Sequence, residues 1–215
     1  MKLTAKLTAV LIAAMMLVVI LGCSLPDRRM PVVQPHGQEP TVEPLTIAVA
    51  SDGGVPYSRS AYRHWVDVDG DCQNTRAEIL VRDSLVPVRF KTARQCAVVE
   101  GLWLGPYSGK EMTSSRAIDI DHMVSLHNAH ISGAWAWTPE RKQAFANSLE
   151  SSHLLASSSS ANRAKGAKDP SEWMPPDLGA WCVYSETWYE VKRFWNLSAT
   201  QEEWDAILRG MQTCR

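Results

Sequence analysis

Ala117-Ile118-Asp119-Ile120-Asp121-His122-Met123-Val124 alternates apolar and polar side chains, the pattern of a β-strand with one buried face. Ile118 and Ile120 point one way, and Asp119 and Asp121 share the other. Asp121 and His122 diverge on a strand, so they can serve one site only if the strand ends there and the backbone turns. Carboxylate oxygens are hard donors that suit Mg²⁺ or Mn²⁺, and a neutral imidazole, with a reference pKa of about 6.5, suits a general base. A proton acceptor for water, a cation and a group that holds the base are what phosphodiester hydrolysis requires.

Downstream, Leu126 to Ala136 has helical character, and Thr138-Pro139-Glu140 supplies an N-cap with Pro at the first position of a helix running to about Glu150. His153 to Ala156 is a short apolar strand, Ser157 to Ser160 a loop, and Asp169 to Trp173 a turn and short helix before Pro175-Pro176. Trp181 to Arg215 is amphipathic and helical in two pieces, broken near Asn196-Leu197-Ser198. Upstream, Thr75 to Arg82 suits a short helix after the turn at Asp69-Gly70-Asp71. Val86 to Phe90 is rich in β-formers, and Ala97 to Trp103 reads as a strand leading to the turn Gly105-Pro106. The expected class is α+β, without internal repeats.

The first 23 residues carry Lys2, Lys6, an apolar run from Ala9 to Leu21 and then Gly22-Cys23, the layout of a secretory signal. The run is too short for a comfortable membrane span. Ile20-Leu21-Gly22-Cys23 resembles the lipobox of bacterial lipoproteins, so residues 1–22 are expected as signal peptide and Cys23 as the lipidated first mature residue. An uncleaved anchor or a plain signal is the alternative, and both place the remainder outside the cytoplasm. Residues 23–50, with Pro at 26, 31, 35, 40 and 44, are expected as a tether, and residues 51–215 as one domain. All nine Trp fall in that domain, enough for a real core. Setting Cys23 aside leaves Cys72, Cys96, Cys182 and Cys214, an even four suited to disulfides. Loop closure favours Cys72 with Cys96 and Cys182 with Cys214, the crossed pairings staying open. A net charge of -1 gives no bulk attraction to nucleic acid.

Asp119 to Val124 followed by Asn162-Arg163-Ala164-Lys165 resembles the HNH (ββα-metal) nuclease core. The form is that of secreted bacterial HNH nucleases, a group related to the GmrSD C-terminal domain, and of the HNH domain of RNA-guided CRISPR effectors. The likeness extends through Tyr62, Trp65, Asp71-Cys72, Thr75-Arg76, Cys96 to Trp103, Ser132-Gly133-Ala134, Phe145-Ala146-Asn147, Asp169 to Trp173, and Cys182 with Tyr184. It implies a ββα-metal core with flanking helices. It also implies His122 as general base, Asp121 and Asn162 as metal ligands, and Asn147 as an orienter of the base. Asp119, on the face of Asp121, would hold a metal-bound water or orient its neighbour. Arg76, by resemblance, and Arg163 and Lys165, in a basic cluster beside Asn162, are candidate contacts to the nucleic-acid backbone. The implied cofactor is Mg²⁺, with Mn²⁺ or Ca²⁺ as alternatives, and the implied substrate is DNA with low sequence specificity, RNA being left open. The membrane is met through lipid on Cys23, and no protein partner is implied. Ser125 stands where Pro is usual in this family, and Asn128 where an acidic residue is common.

Three rival assignments use the same residues. His122, His127 and His130 could be a zinc cluster, but no HExxH arrangement is present. Asp67-Val68-Asp69-Gly70-Asp71 hints at a calcium loop, yet it lacks the later bidentate Glu and has its Gly two places early for an EF-hand, so a solvated turn beside Cys72 is expected. A non-catalytic surface lipoprotein binding DNA or an envelope partner is the alternative of another class, and a pure binder has no need for a base beside a cation site.

Overall fold

Asn74 caps the first helix by accepting the amide of Ala77, and α1 (Thr75–Arg82) buries Thr75, Ala77, Ile79 and Leu80. In this computed structural model, which describes residues 42–150 and 153–214, Ile79 and Leu80 pack against a three-stranded antiparallel sheet. Its strands are β1 (Arg89–Phe90), β2 (Val98–Leu104) and β3 (Glu111–Ser114), in that order. Trp103 of β2 is fully buried in this cluster, and its indole Nε1 donates to the Leu80 carbonyl at 2.9 Å, so the large ring leaves no polar atom unpaired.

The same core receives Ile118, Ile120, Leu154 and Ala156 from a second, two-stranded antiparallel sheet. There β4 (Ile118–His122) pairs with β5 (Leu154–Ser158), with Asp119 opposite Ser157 and His122 opposite Leu154. Helix α4 (Ser159–Lys165) follows at once, and the Ser158 hydroxyl caps it by accepting the amide of Ala161. The expected ββα core is thus β4, β5 and α4. Between the two strands lie α2 (Leu126–Ile131), which ends near Gly133 at φ 116°, and α3 (Pro139–Ala146), capped by Thr138.

Helices α5 (Trp181–Trp195) and α6 (Gln201–Met211) complete the α+β fold. They are joined by a buried ion pair in which Lys192 donates to Glu203 at 2.8 Å and to the Ser132 hydroxyl at 2.8 Å, while Trp188 Nε1 donates to Glu203 at 2.7 Å. The disulfides pair Cys72 with Cys96 and Cys182 with Cys214. No helix among the described residues is long and apolar enough to cross a membrane.

Several expectations are corrected. The segment Ser157–Ser160, read as loop, instead finishes β5 and starts α4, because Ser158 acts as a helix cap. Helix α3 stops at Ala146 rather than near Glu150, and residues 169–173 form turns without a helix. The compact unit starts at Glu43 rather than residue 51: Leu45 is buried, Ala48 donates its amide to the Ala199 carbonyl at 2.9 Å, and Tyr189 donates its hydroxyl to the Glu43 carbonyl at 2.9 Å. The signal peptide, Cys23 and the tether as far as residue 41 lie outside the described residues.

Gly210 sits where α6 meets α5, and a Cβ there would lie 1.8 Å from Ser185 Oγ and 2.8 Å from its Cβ. Gly210→Ala is therefore expected to destabilise the protein by about 1–3 kcal/mol, read as a lower urea midpoint. Ser185→Ala will not rescue it, since the Cβ clash persists.

Candidate active site

Strand β4 ends at His122, and the register with β5 brings the start of α4 back beside Asp119. Asp119 accepts from the Ser159 hydroxyl at 2.9 Å and from Asn162 Nδ2 at 3.3 Å, with Arg163 Nε 3.7 Å from its carboxylate. Donation by the Asn162 nitrogen leaves its amide oxygen as a free donor to a cation. Asp119 and Asn162 are both partly exposed, and a carboxylate with a carboxamide oxygen is a donor set that suits a hard divalent ion.

His122 is buried, and its Nε2 lies 3.0 Å from the Ala146 carbonyl at the end of α3. A carbonyl can only accept, so Nε2 carries the ring proton and Nδ1 keeps the lone pair that a general base needs. Burial pushes the imidazole pKa well below its ordinary value, His153 adds to the effect, and the bond to Ala146 opposes it. The ring is therefore neutral at physiological pH. Trp65, Phe145 and His153 surround it, with ring centroids 6.0, 6.4 and 5.6 Å away. Asp121, His122 and Asn162 open onto one cleft of about 460 Å³, also lined by Tyr57, Arg59 and Arg163.

Four expected roles are not what the geometry provides. Asp121 is 4% exposed, and both its oxygens are engaged: Oδ2 accepts the Tyr107 hydroxyl at 2.5 Å and Oδ1 accepts Lys165 Nζ at 2.9 Å. An ammonium at that distance competes with a cation, and in this geometry Asp121 has no unengaged oxygen to offer a metal. Burial raises the Asp121 carboxyl pKa, while Lys165 and Tyr107 pull it back. Lys165, expected on phosphate, is fully buried, and also donates to the His122 carbonyl at 2.8 Å. Arg76 uses Nη2 on the carbonyls of Ser115 and Ile118, both at 2.9 Å, and so ties down the start of β4. Asn147 does not meet His122: its oxygen accepts from Val66 N and Thr75 Oγ1, and its nitrogen donates to the carbonyls of Arg63 and Gln143. The His122 ring is oriented instead by the carbonyl of Ala146, the residue before Asn147.

Tyr107, Ser159 and the Ala146 carbonyl were missed, because each reaches the site only through tertiary contact. His130 is a satisfied core residue, bridging the Tyr57–Tyr62 region through Tyr62 Oη at 3.0 Å and the Val55 carbonyl at 2.7 Å. Among the described residues, no cluster of histidines is placed to share a metal.

Two stability consequences follow from these buried groups. His153 is wholly buried and its pKa falls from 6.5 to about 4 through desolvation. Below pH 6.5 the unfolded chain binds protons that the folded chain refuses, so stability present above pH 6.5 is lost as pH falls towards 4. At about 1.4 kcal/mol per pH unit this amounts to roughly 3 kcal/mol for His153; urea titrations from pH 7 to 4 should show it, and the slope should be shallower in His153→Phe. Lys165→Met strands the buried Asp121 carboxylate and should cost about 3–5 kcal/mol, with Asp121→Asn in the same chain restoring part of the loss.

Comparison with known proteins places these residues in a family. Residues 81–209, more than half of the chain, match the family described as GmrSD restriction endonucleases, C-terminal domain. An uncharacterized secreted protein of Arthroderma benhamiae is 40% identical over 158 residues, spanning 74% of this chain and 76% of that protein. No solved structure matches. With β4, β5 and α4 all inside the matched region, the chain belongs to the GmrSD restriction endonuclease C-terminal domain family.

Proposed function

We propose that the protein is a metal-dependent endonuclease that hydrolyses DNA phosphodiester bonds with low sequence specificity outside the cytoplasm. The observation that carries this reading is His122, held neutral by burial and oriented by the Ala146 carbonyl in the cleft it shares with Asn162. Family membership and the secreted relative support it, as do two disulfides, which persist in oxidising compartments. The lipobox-like sequence ending at Cys23 supports attachment to a bacterial membrane through lipid.

Asp119 and Asn162 would hold the divalent ion, Mg²⁺ by preference and Mn²⁺ or Ca²⁺ in its place. When bound, the ion neutralises charge developing on the phosphate and the leaving oxygen. His122 Nδ1 takes the proton from the attacking water, and the Nε2 bond to Ala146 keeps the ring in the tautomer that can do so. Ser159 fixes the Asp119 carboxylate, and Asp119 fixes the Asn162 amide with its oxygen free. Lys165 and Tyr107 hold Asp121 in place beneath the site, where it positions the backbone at His122. Exposed Arg163 is the side chain suited to a phosphate of the substrate.

Plasmid cleavage in Mg²⁺ or EDTA tests this reading. His122→Ala should lower the rate by about 10²–10⁴, the usual contribution of a general base. Asp119→Asn and Asn162→Ala should raise the Mg²⁺ concentration needed for half-maximal rate at least tenfold, whereas Asp121→Asn should lower the rate and leave that concentration unchanged. Plasmid left intact with Mg²⁺, Mn²⁺ and Ca²⁺ alike would rule out the enzyme, and a raised Mg²⁺ requirement in Asp121→Asn alone would return the metal to Asp121.

A further inference from the structure

Arg59 lines the cleft that holds His122 and Asn162, and the chemistry above gives it no part. It is exposed, and an exposed arginine by itself is only a solvated charge. Position, anchorage and the lack of a counter-charge set this one apart.

The anchor is His130, buried on α2. Its Nε2 lies 2.7 Å from the Val55 carbonyl and its Nδ1 lies 3.0 Å from the Tyr62 hydroxyl. A carbonyl only accepts, so Nε2 carries the proton and Nδ1 accepts from Tyr62. Both ends of segment 55–62 are thereby tied to one helical side chain. Within the segment, Tyr57 packs edge-on against His127 and His130, with ring centroids 5.1 and 5.5 Å away. A single 3₁₀ turn, Arg59–Ala61, follows, and the Tyr62 amide closes it by donating to the Arg59 carbonyl at 3.1 Å. The guanidinium stands beside Tyr57: burial raises the pKa of that phenol, and Arg59 pulls it back.

Other charges of the cleft answer one another. Lys165 neutralises Asp121, and Arg163 Nε stands 3.7 Å from the Asp119 carboxylate. Among the described residues, no carboxylate forms an ion pair with Arg59. Burial first, then His153, Lys165 and Arg59, lower the His122 pKa, so the field of this guanidinium reaches the ring. On a chain of net charge -1, that makes a local cationic spot beside a neutral proton acceptor. A phosphate completes such an arrangement: the planar guanidinium fork matches two phosphate oxygens, and a charge fixed in advance needs no reorganisation as the reaction proceeds.

We propose that Arg59 binds the phosphate of the bond being cleaved, from the wall of the cleft formed by segment 55–62, while Arg163 supplies a second phosphate contact from α4. This rests on the nuclease reading above. As the water oxygen bonds to phosphorus and its proton passes to His122 Nδ1, negative charge grows on the non-bridging phosphate oxygens. The bond to the leaving oxygen then breaks, and that oxygen takes a proton from water. Arg59 meets the growing charge with paired N–H donors. Arg63, just past the same segment, is exposed as well but lines a different cavity of about 600 Å³, which makes it the comparison cation outside the site.

Two measurements on the full chain test it: plasmid cleavage in Mg²⁺, and binding of a duplex oligonucleotide in EDTA over a range of salt. Arg59→Ala should lower kcat by about 10²-fold, the usual loss of one donor to a charged transition state. It should also reduce the slope of log K against log salt by about 1, one phosphate contact fewer. Arg59→Lys keeps a point charge and loses the fork, so it should restore the slope and only part of kcat. Arg63→Ala should match the wild-type chain in both measurements, and an unchanged urea midpoint checks that Arg59→Ala is folded. Wild-type kcat or an unchanged slope in Arg59→Ala would overturn the proposal; a lower slope with kcat intact would place Arg59 on a flanking phosphate instead. Equal losses in Arg63→Ala would overturn it too. A wild-type chain that binds the duplex and never cuts it fails the nuclease reading, while the slope in Arg59→Ala still decides the phosphate contact.

Discussion

The ammonium of Lys165, fully buried, joins two parts of the molecule that are far apart in the chain. It meets the Asp121 carboxylate and the His122 carbonyl at the end of β4, and it belongs to the last turn of α4. A buried charge with a missing partner is strongly unfavourable, so this contact fixes how α4 sits on the strand. Asn162 and Arg163 ride on that helix, and their relation to Asp119 and His122 is set by the same contact. Tyr107 closes the arrangement by satisfying the second oxygen of Asp121.

Two aspartates on one strand face therefore have opposite fates. Asp119, near the helix start, stays partly exposed with Ser159 and Asn162 as partners, and its charge is available to a cation. Asp121 is enclosed and neutralised by Lys165. His122 is supported from another direction: successive carbonyls at the end of α3, Phe145 and Ala146, receive His153 and His122. That places two neutral histidines in one apolar pocket, where burial disfavours protonating either.

Much of the architecture was legible in the residues. The alternation from Ile118 to His122 marked β4, the spacing from Thr75 to Arg82 marked α1, Thr138 marked the start of α3, and loop closure indicated the observed disulfide pairs. Serines at 157–160 were misread because Ser favours both loops and caps, and only the pairing of Ser157 with Asp119 and the capping by Ser158 distinguish the two. Lys165 looked like a surface cation in a basic run, since sequence does not show which side of a seven-residue helix meets the strand.

By itself the sequence determined which chemical groups were present and their local periodicity: a strand with acids on one face, a histidine at its end and an asparagine beside a later basic cluster. Tertiary structure decided which of these groups stay accessible. Side-chain periodicity orients a residue relative to its own element, whereas burial and long-range partners depend on how elements pack. Hence Asp119 and Asp121, equivalent in the alternation, are separated in role by one lysine 44 residues along from Asp121.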